Sequence, residues 1–216
     1  MTNRIIASLV VTTGLAILCG PRAASAQTPP DGRFELTVGY GTNRDLISLA
    51  EPFATGLRIG GIRDVRIDRE PAAQRSILVN AGGAVGRYLV AFSEFLYNDL
   101  GESRVSGRVG FLPRTTFTMR TRFFEWTSGV HVQVPAGTWR VRPYFGGGAG
   151  IVRTKMDSES PAGSVSLSGD DFTYHADLGV KLLVTNSFAV APEFRVVQIP
   201  DDTYYRVLVG AVFRFK

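Results

Sequence analysis

From Phe34 to Phe215 the chain repeats one pattern: about ten residues alternating between apolar and small or polar side chains, then a turn. Phe34, Leu36, Val38 and Tyr40 alternate with Glu35, Thr37, Gly39 and Gly41. The same period of two runs through 76–85, 123–134, 140–151, 172–184, 188–196 and 204–215, while 87–98 has a blurred phase. A period of two puts each apolar set on one face of a sheet, so the pattern predicts eight strands. The connections also alternate. Short turns fall near Gly86, at Pro135-Ala136-Gly137-Thr138 and at Thr185-Asn186-Ser187. Long loops are expected at Thr42–Arg75, Asp99 to about Arg122, and Lys155–Asp171, with a shorter link at Gln198–Thr203.

Short turns at one end and long loops at the other predict an all-β, eight-stranded antiparallel up-and-down transmembrane β-barrel. Alternation in Ile59–Ile67 makes ten strands the alternative. Charge separates the two faces. Glu35, Glu125, Arg140, Arg142, Asp177, Lys181, Glu193, Arg195, Arg206 and Arg214 share one face, and the other carries almost none. An Arg or Lys facing hydrocarbon costs about 2–4 kcal/mol at the membrane midplane, so this face is the expected lumen, with its charges paired inside. Glycines 39, 82, 129, 146, 148, 150, 179 and 210 lie on the same face, where a narrow lumen needs room. Aromatics near the ends of the apolar face, such as Phe34, Tyr40, Trp126 and Phe215, suit the two membrane interfaces. A soluble barrel with apolar residues inside gives the same period and is the rival.

The N-terminus changes the picture of location. Arg4, the apolar run Ile5–Cys19 and Ala24-Ser25-Ala26 read as a secretory signal peptide over residues 1–26, leaving a barrel domain over 27–216. Lipoprotein processing at Cys19 is disfavoured by Leu18, where a small residue is wanted. The lone cysteine then leaves with the leader, and no disulfide framework is possible. The formal net charge of +5 is modest for 216 residues and implies no nucleic-acid partner.

Two stretches carry a family resemblance. Tyr205, Val207, Val209, Ala211, Phe213 and Phe215 alternate through a last strand that resembles the C-terminal assembly signal of bacterial outer-membrane proteins, although Lys216 follows it. Arg142-Pro143-Tyr144-Phe145-Gly146-Gly147-Gly148-Ala149-Gly150 resembles a strand common in small barrels of the outer-membrane protein A-like superfamily. The resemblance implies the bacterial outer membrane, with outer-membrane lipid and lipopolysaccharide as surroundings. It also implies the barrel assembly machinery and periplasmic chaperones as biogenesis partners.

Candidate chemistry is sparse. The glycine run lacks the Gly-Lys-Ser/Thr of a phosphate loop and reads as barrel wall. Small barrels that deacylate lipid A imply a His followed two residues later by Ser. Here His131 precedes Val132-Gln133 and His175 precedes Ala176-Asp177, both on the polar face, where hydrogen bonding in the lumen is expected. With two histidines and one cysteine, no metal site, catalytic residue or cofactor is expected. Arg104, Arg108, Arg114, Arg120 and Arg122, set against Asp99 and Glu102, form a basic rim suited to lipopolysaccharide phosphates. Interleaved Val105, Val109, Phe111, Phe117 and Met119 suggest that the flanking strands continue above the membrane. The expected function is a non-enzymatic integral barrel serving envelope integrity or surface interaction through its loops. The alternatives are a narrow porin-like channel, a lipid-modifying enzyme and a soluble periplasmic barrel for a lipophilic ligand.

Overall fold

The computed structural model describes residues 34–44, 50–70, 74–86, 88–134, 140–200 and 202–215. The expected leader with its cleavage point after Ala26, the turn at Pro135-Ala136-Gly137-Thr138, and Lys216 lie outside them. The elements are β1 (Phe34–Arg44), α1 (Ala50–Ile59), β2 (Arg63–Arg69), β3 (Arg75–Ala84), β4 (Leu89–Arg108), β5 (Thr115–Gln133), β6 (Val141–Ser160), β7 (Gly163–Leu183), β8 (Phe188–Ile199) and β9 (Asp202–Phe215). Eight strands pair in the order β4-β3-β1-β9-β8-β7-β6-β5, and a β4–β5 pairing closes the ring. The ring pairings are all antiparallel, as short hairpins between chain neighbours require.

The Ile59–Ile67 stretch does not add to the wall. β2 pairs only with the upper part of β4, beyond the end of β3, and α1 occupies the residues before it. The helix has ordinary local signals: Glu51 in its first turn, Pro52 close behind, and Gly61 at φ 85° after its end. Its buried Ala50 and Ala54 pack on Val105 and Met119, with Phe53, Leu57, Val65, Ile67 and Met156 around them.

Two expected loops are strands instead. β4 and β5 stay paired up to Gly107 and Thr115, continuing as Val105, Phe117 and Met119 suggested. The Lys155–Asp171 segment is no loop either: β6 and β7 stay paired up to Ser160 and Gly163. That segment is mostly polar, with Met156, Val165 and Leu167 its only large apolar residues, because above the membrane neither face needs to be apolar. The blurred phase of 87–98 has a similar explanation. Phe92 and Leu96 are buried in the lumen while Phe95 is exposed outside, so large apolar groups occupy both faces.

The outer wall is apolar. On β9, Tyr205, Val207, Val209, Phe213 and Phe215 are all exposed. Ten residue steps at roughly 3.3 Å, tilted by about 40°, make a band about 25 Å tall, the height of an outer-membrane hydrocarbon belt. Aromatic pairs mark both edges. Phe188 and Phe213 meet at 5.5 Å near the turn end, and Tyr97–Phe124 (5.2 Å), Phe172–Tyr174 (6.3 Å) and Phe194–Tyr205 (6.0 Å) lie toward the other. Val209→Arg is therefore expected to lower folding stability in lipid vesicles by about 2 kcal/mol. Unchanged urea titration of the vesicle-inserted barrel would contradict a lipid-facing Val209.

Candidate functional site

The lumen is filled by stacked polar layers rather than by water. Nearest the loops, Glu125 of β5 takes a bidentate Arg206 from β9 at 2.6 and 3.2 Å. Asn98 and Tyr204 also donate to Glu125 at 2.6 Å, and Arg206 reaches Asn43 at 2.8 Å. In the middle, Arg195 of β8 clasps Glu94 of β4, with one contact at 2.8 Å, and also bonds Glu193. Asn80 and Thr127 donate to the same Glu94 at 3.1 and 2.9 Å. Tyr144 donates to Glu193 at 2.7 Å, and its ring carries Lys181 at 5.3 Å. Nearest the turns, Lys181 bonds Glu35, and Arg214 stands 3.4 Å from the same carboxylate.

Nine of the ten charges expected on the polar face therefore turn inward: Glu35, Glu125, Arg142, Asp177, Lys181, Glu193, Arg195, Arg206 and Arg214. Arg140 does not. It is exposed in the turn one residue before β6 and faces water, because the strand that would carry it inward starts at Val141. Glu94 was hidden from sequence reasoning by the blurred phase of β4, and Asn43, Asn80 and Asn98 by carrying no charge. Leu100, Phe123, Val152, Val197 and Tyr204 form an apolar cap above the upper layer. A cavity of about 20 Å³ beside His131, Tyr144, Lys181 and Glu193 has room for about one water.

A second group of charges sits outside, above the aromatic edge. Past Tyr97 on β4 come Asp99, Glu102, Arg104 and Arg108, and past Phe124 on β5 come Arg122 and Arg120. Arg104, Arg108, Arg114 and Arg120 are exposed and Arg122 half-buried. Arg104 pairs with Glu102 at 2.9 Å, Arg120 with Asp99 at 2.6 Å and Arg122 with Asp157 at 3.7 Å, while Arg114 donates to Ser106 at 3.0 Å. Burial pushes the Asp99 carboxyl up, but the Arg120 and Gly101 N–H donors outweigh it and hold it below the usual range. β2 adds arginines the sequence did not connect with this rim: Arg63 lies across from Arg108, Arg66 from Ser106 and Arg69 from Arg104. Cross-strand partners point to one face, so these arginines crowd together despite their like charge.

Between α1 and the β6–β7 hairpin lies a cavity of about 660 Å³ lined mainly by Phe53, Leu57, Phe123, Met156, Leu167 and Ile199.

A model of the outer membrane protein beta-barrel domain family matches residues 11–215. The chain belongs to this family. Its place is the bacterial outer membrane. Among solved structures, the barrel is similar to Ail, the attachment invasion locus protein of Yersinia pestis, at 16% identity and a TM-score of 0.52, covering 86% of this chain and 99% of that one. Ail in complex with the heparin analogue sucrose octasulfate matches at 15% identity and a TM-score of 0.51, with the same coverage. Neisserial surface protein A aligns at 12% identity and a TM-score of 0.47, over 84% of this barrel and 97% of that chain. A comparison with curated proteins returned no match. At these identities the likeness to Ail is one of fold.

Proposed function

We propose that this outer-membrane barrel is a non-conducting, non-enzymatic surface protein whose extracellular sheet grips anionic groups of the surrounding lipopolysaccharide. The observation that carries this reading is the arginine rim on the outer wall directly above the aromatic edge. Lipid phosphates and core sugars of the outer leaflet occupy that level, and guanidinium groups bind phosphate bidentately. Arg63, Arg66 and Arg108 have no ion pair with any described residue, so they are available to an incoming anion. The filled lumen favours a role at the surface over passage through the barrel. Crystallisation of the Yersinia pestis barrel with a sulfated sugar supports anion binding on this fold.

The triple variant Arg63→Ala/Arg66→Ala/Arg108→Ala should bind purified lipopolysaccharide at least tenfold more weakly, with a shallower salt dependence, while still migrating as a heat-modifiable folded band. Undiminished binding by the folded variant would refute the rim assignment. Planar bilayers containing wild-type barrel should show no stable conductance steps.

A further inference from the structure

The middle of the lumen also holds two histidines, of which His175 stands 3.8 Å from Glu94 of the ion-pair layer. His131 comes from β5, and His175 and Asp177 come from β7. Gly146 and Gly148 of β6 leave space for the two rings: a Cβ at these positions would come within 2.6 Å of His131 Cδ2 and 3.0 Å of His175 Cε1. Phe92 stacks on His131 at 4.2 Å and on His175 at 6.1 Å. Both imidazoles are thereby fixed with Nε2 aimed at one carboxylate. His131 Nε2 is 3.2 Å from Asp177 Oδ1, and His175 Nε2 is 3.4 Å from Asp177 Oδ2. All four atoms are fully buried, yet none makes a well-formed hydrogen bond. The two nitrogens and two oxygens are thus each other's partners, but at a poor angle for hydrogen bonding, which invites an explanation.

We propose that His131, Asp177 and Glu193 form a buried site for one divalent first-row transition-metal ion of the zinc class, with His175 holding the second oxygen of Asp177. Donor atoms of His131, Asp177 and Glu193 lie within 4.8 Å of one another. Ligands held tetrahedrally at about 2.0–2.1 Å stand roughly 3.3–3.4 Å apart, close to the 3.2 Å between His131 Nε2 and Asp177 Oδ1. Imidazole with carboxylate suits zinc and its neighbours, whereas calcium and magnesium take oxygen alone. Charge points the same way. Arg195 is shared between Glu94 and Glu193, and the ion-pair contacts of Asp177 are with the two histidines. The one-water cavity touching His131 and Glu193 offers room for a solvent ligand. Sequence reasoning set a metal aside on histidine number; the site needs only His131, with carboxylates supplied by β7 and β8.

The test uses the full chain, expressed in Gram-negative cells and extracted from their outer membranes in detergent, then unfolded in urea with chelator and refolded with Zn²⁺ or Co²⁺. After gel filtration, the wild-type barrel should retain one zinc per chain, and Asp177→Asn and His131→Gln less than a tenth of that. Cobalt-loaded wild type should show the intense visible bands of a tetrahedral nitrogen–oxygen site. Heat-modifiable migration reports which variants are folded. A folded wild type retaining less than a tenth of an equivalent overturns the proposal and points to protonated histidines clamping Asp177. Folded variants that hold as much zinc as wild type overturn it too, because the metal is then elsewhere. If neither variant folds, the cobalt spectrum decides: weak octahedral bands or none reject the site.

Discussion

Arg195→Met should remove about 3–5 kcal/mol of barrel stability, read as a lower urea midpoint for the folded band in lipid vesicles. The loss comes less from the missing attraction than from what remains. Glu94 is 4% exposed and Glu193 9%, and without the guanidinium both carboxylates are left short of a partner in a medium that solvates charge poorly. The double variant Arg195→Met/Glu94→Gln should recover a large part of the loss, since removing both partners of a buried pair is often close to neutral. Arg104→Met, which breaks the exposed pair with Glu102, should change stability by no more than about 1 kcal/mol. Equal effects of Arg195→Met and Arg104→Met would show that the inner pairs contribute no more than solvent-exposed ones.

Gly150→Ala is the second large loss, about 3 kcal/mol, at the upper end for overpacking. A Cβ on Gly150 would lie 1.9 Å from the carbonyl oxygen of Trp126 and 2.7 Å from Cα of Thr127. Both are backbone atoms of β5, so no rotamer change relieves the contact. The two strands must part, breaking ladder bonds around the Thr127–Gly150 partners. Gly169→Ala, where nothing lies within 4 Å of the new carbon, is the matched control and should be near neutral. If both alanines fold equally well in the vesicle assay, β5 and β6 are not as close as described.

Alternation alone made the eight wall strands legible, because a membrane outside and a crowded lumen inside impose opposite demands on successive residues. The glycines were legible only as a class. Gly148 makes room for a histidine ring, as a narrow lumen suggests, Gly150 lets two backbones approach, and Gly146 does both. Partner identities were not legible. Arg195 is recognisable as an inward charge from its own strand, but its partner Glu94 is 101 residues away and is selected by register around the ring. The convergence of His131 and His175 on Asp177 is hidden for the same reason, since it depends on how β5, β6 and β7 are staggered. The arginines of β4 and β5 were visible as a rim, but those of β2 joined it only once that strand had found its place.

Glu35 and Arg214 face one another across the β1–β9 pairing, where the first strand of the ring meets the last. This is the seam that must zip shut when the cylinder forms. A slip of one residue there would turn a charge toward hydrocarbon, and a slip of two would set Glu35 against Val212 or Lys216. The first and last wall strands thus carry complementary charges that mark the register of their own joining.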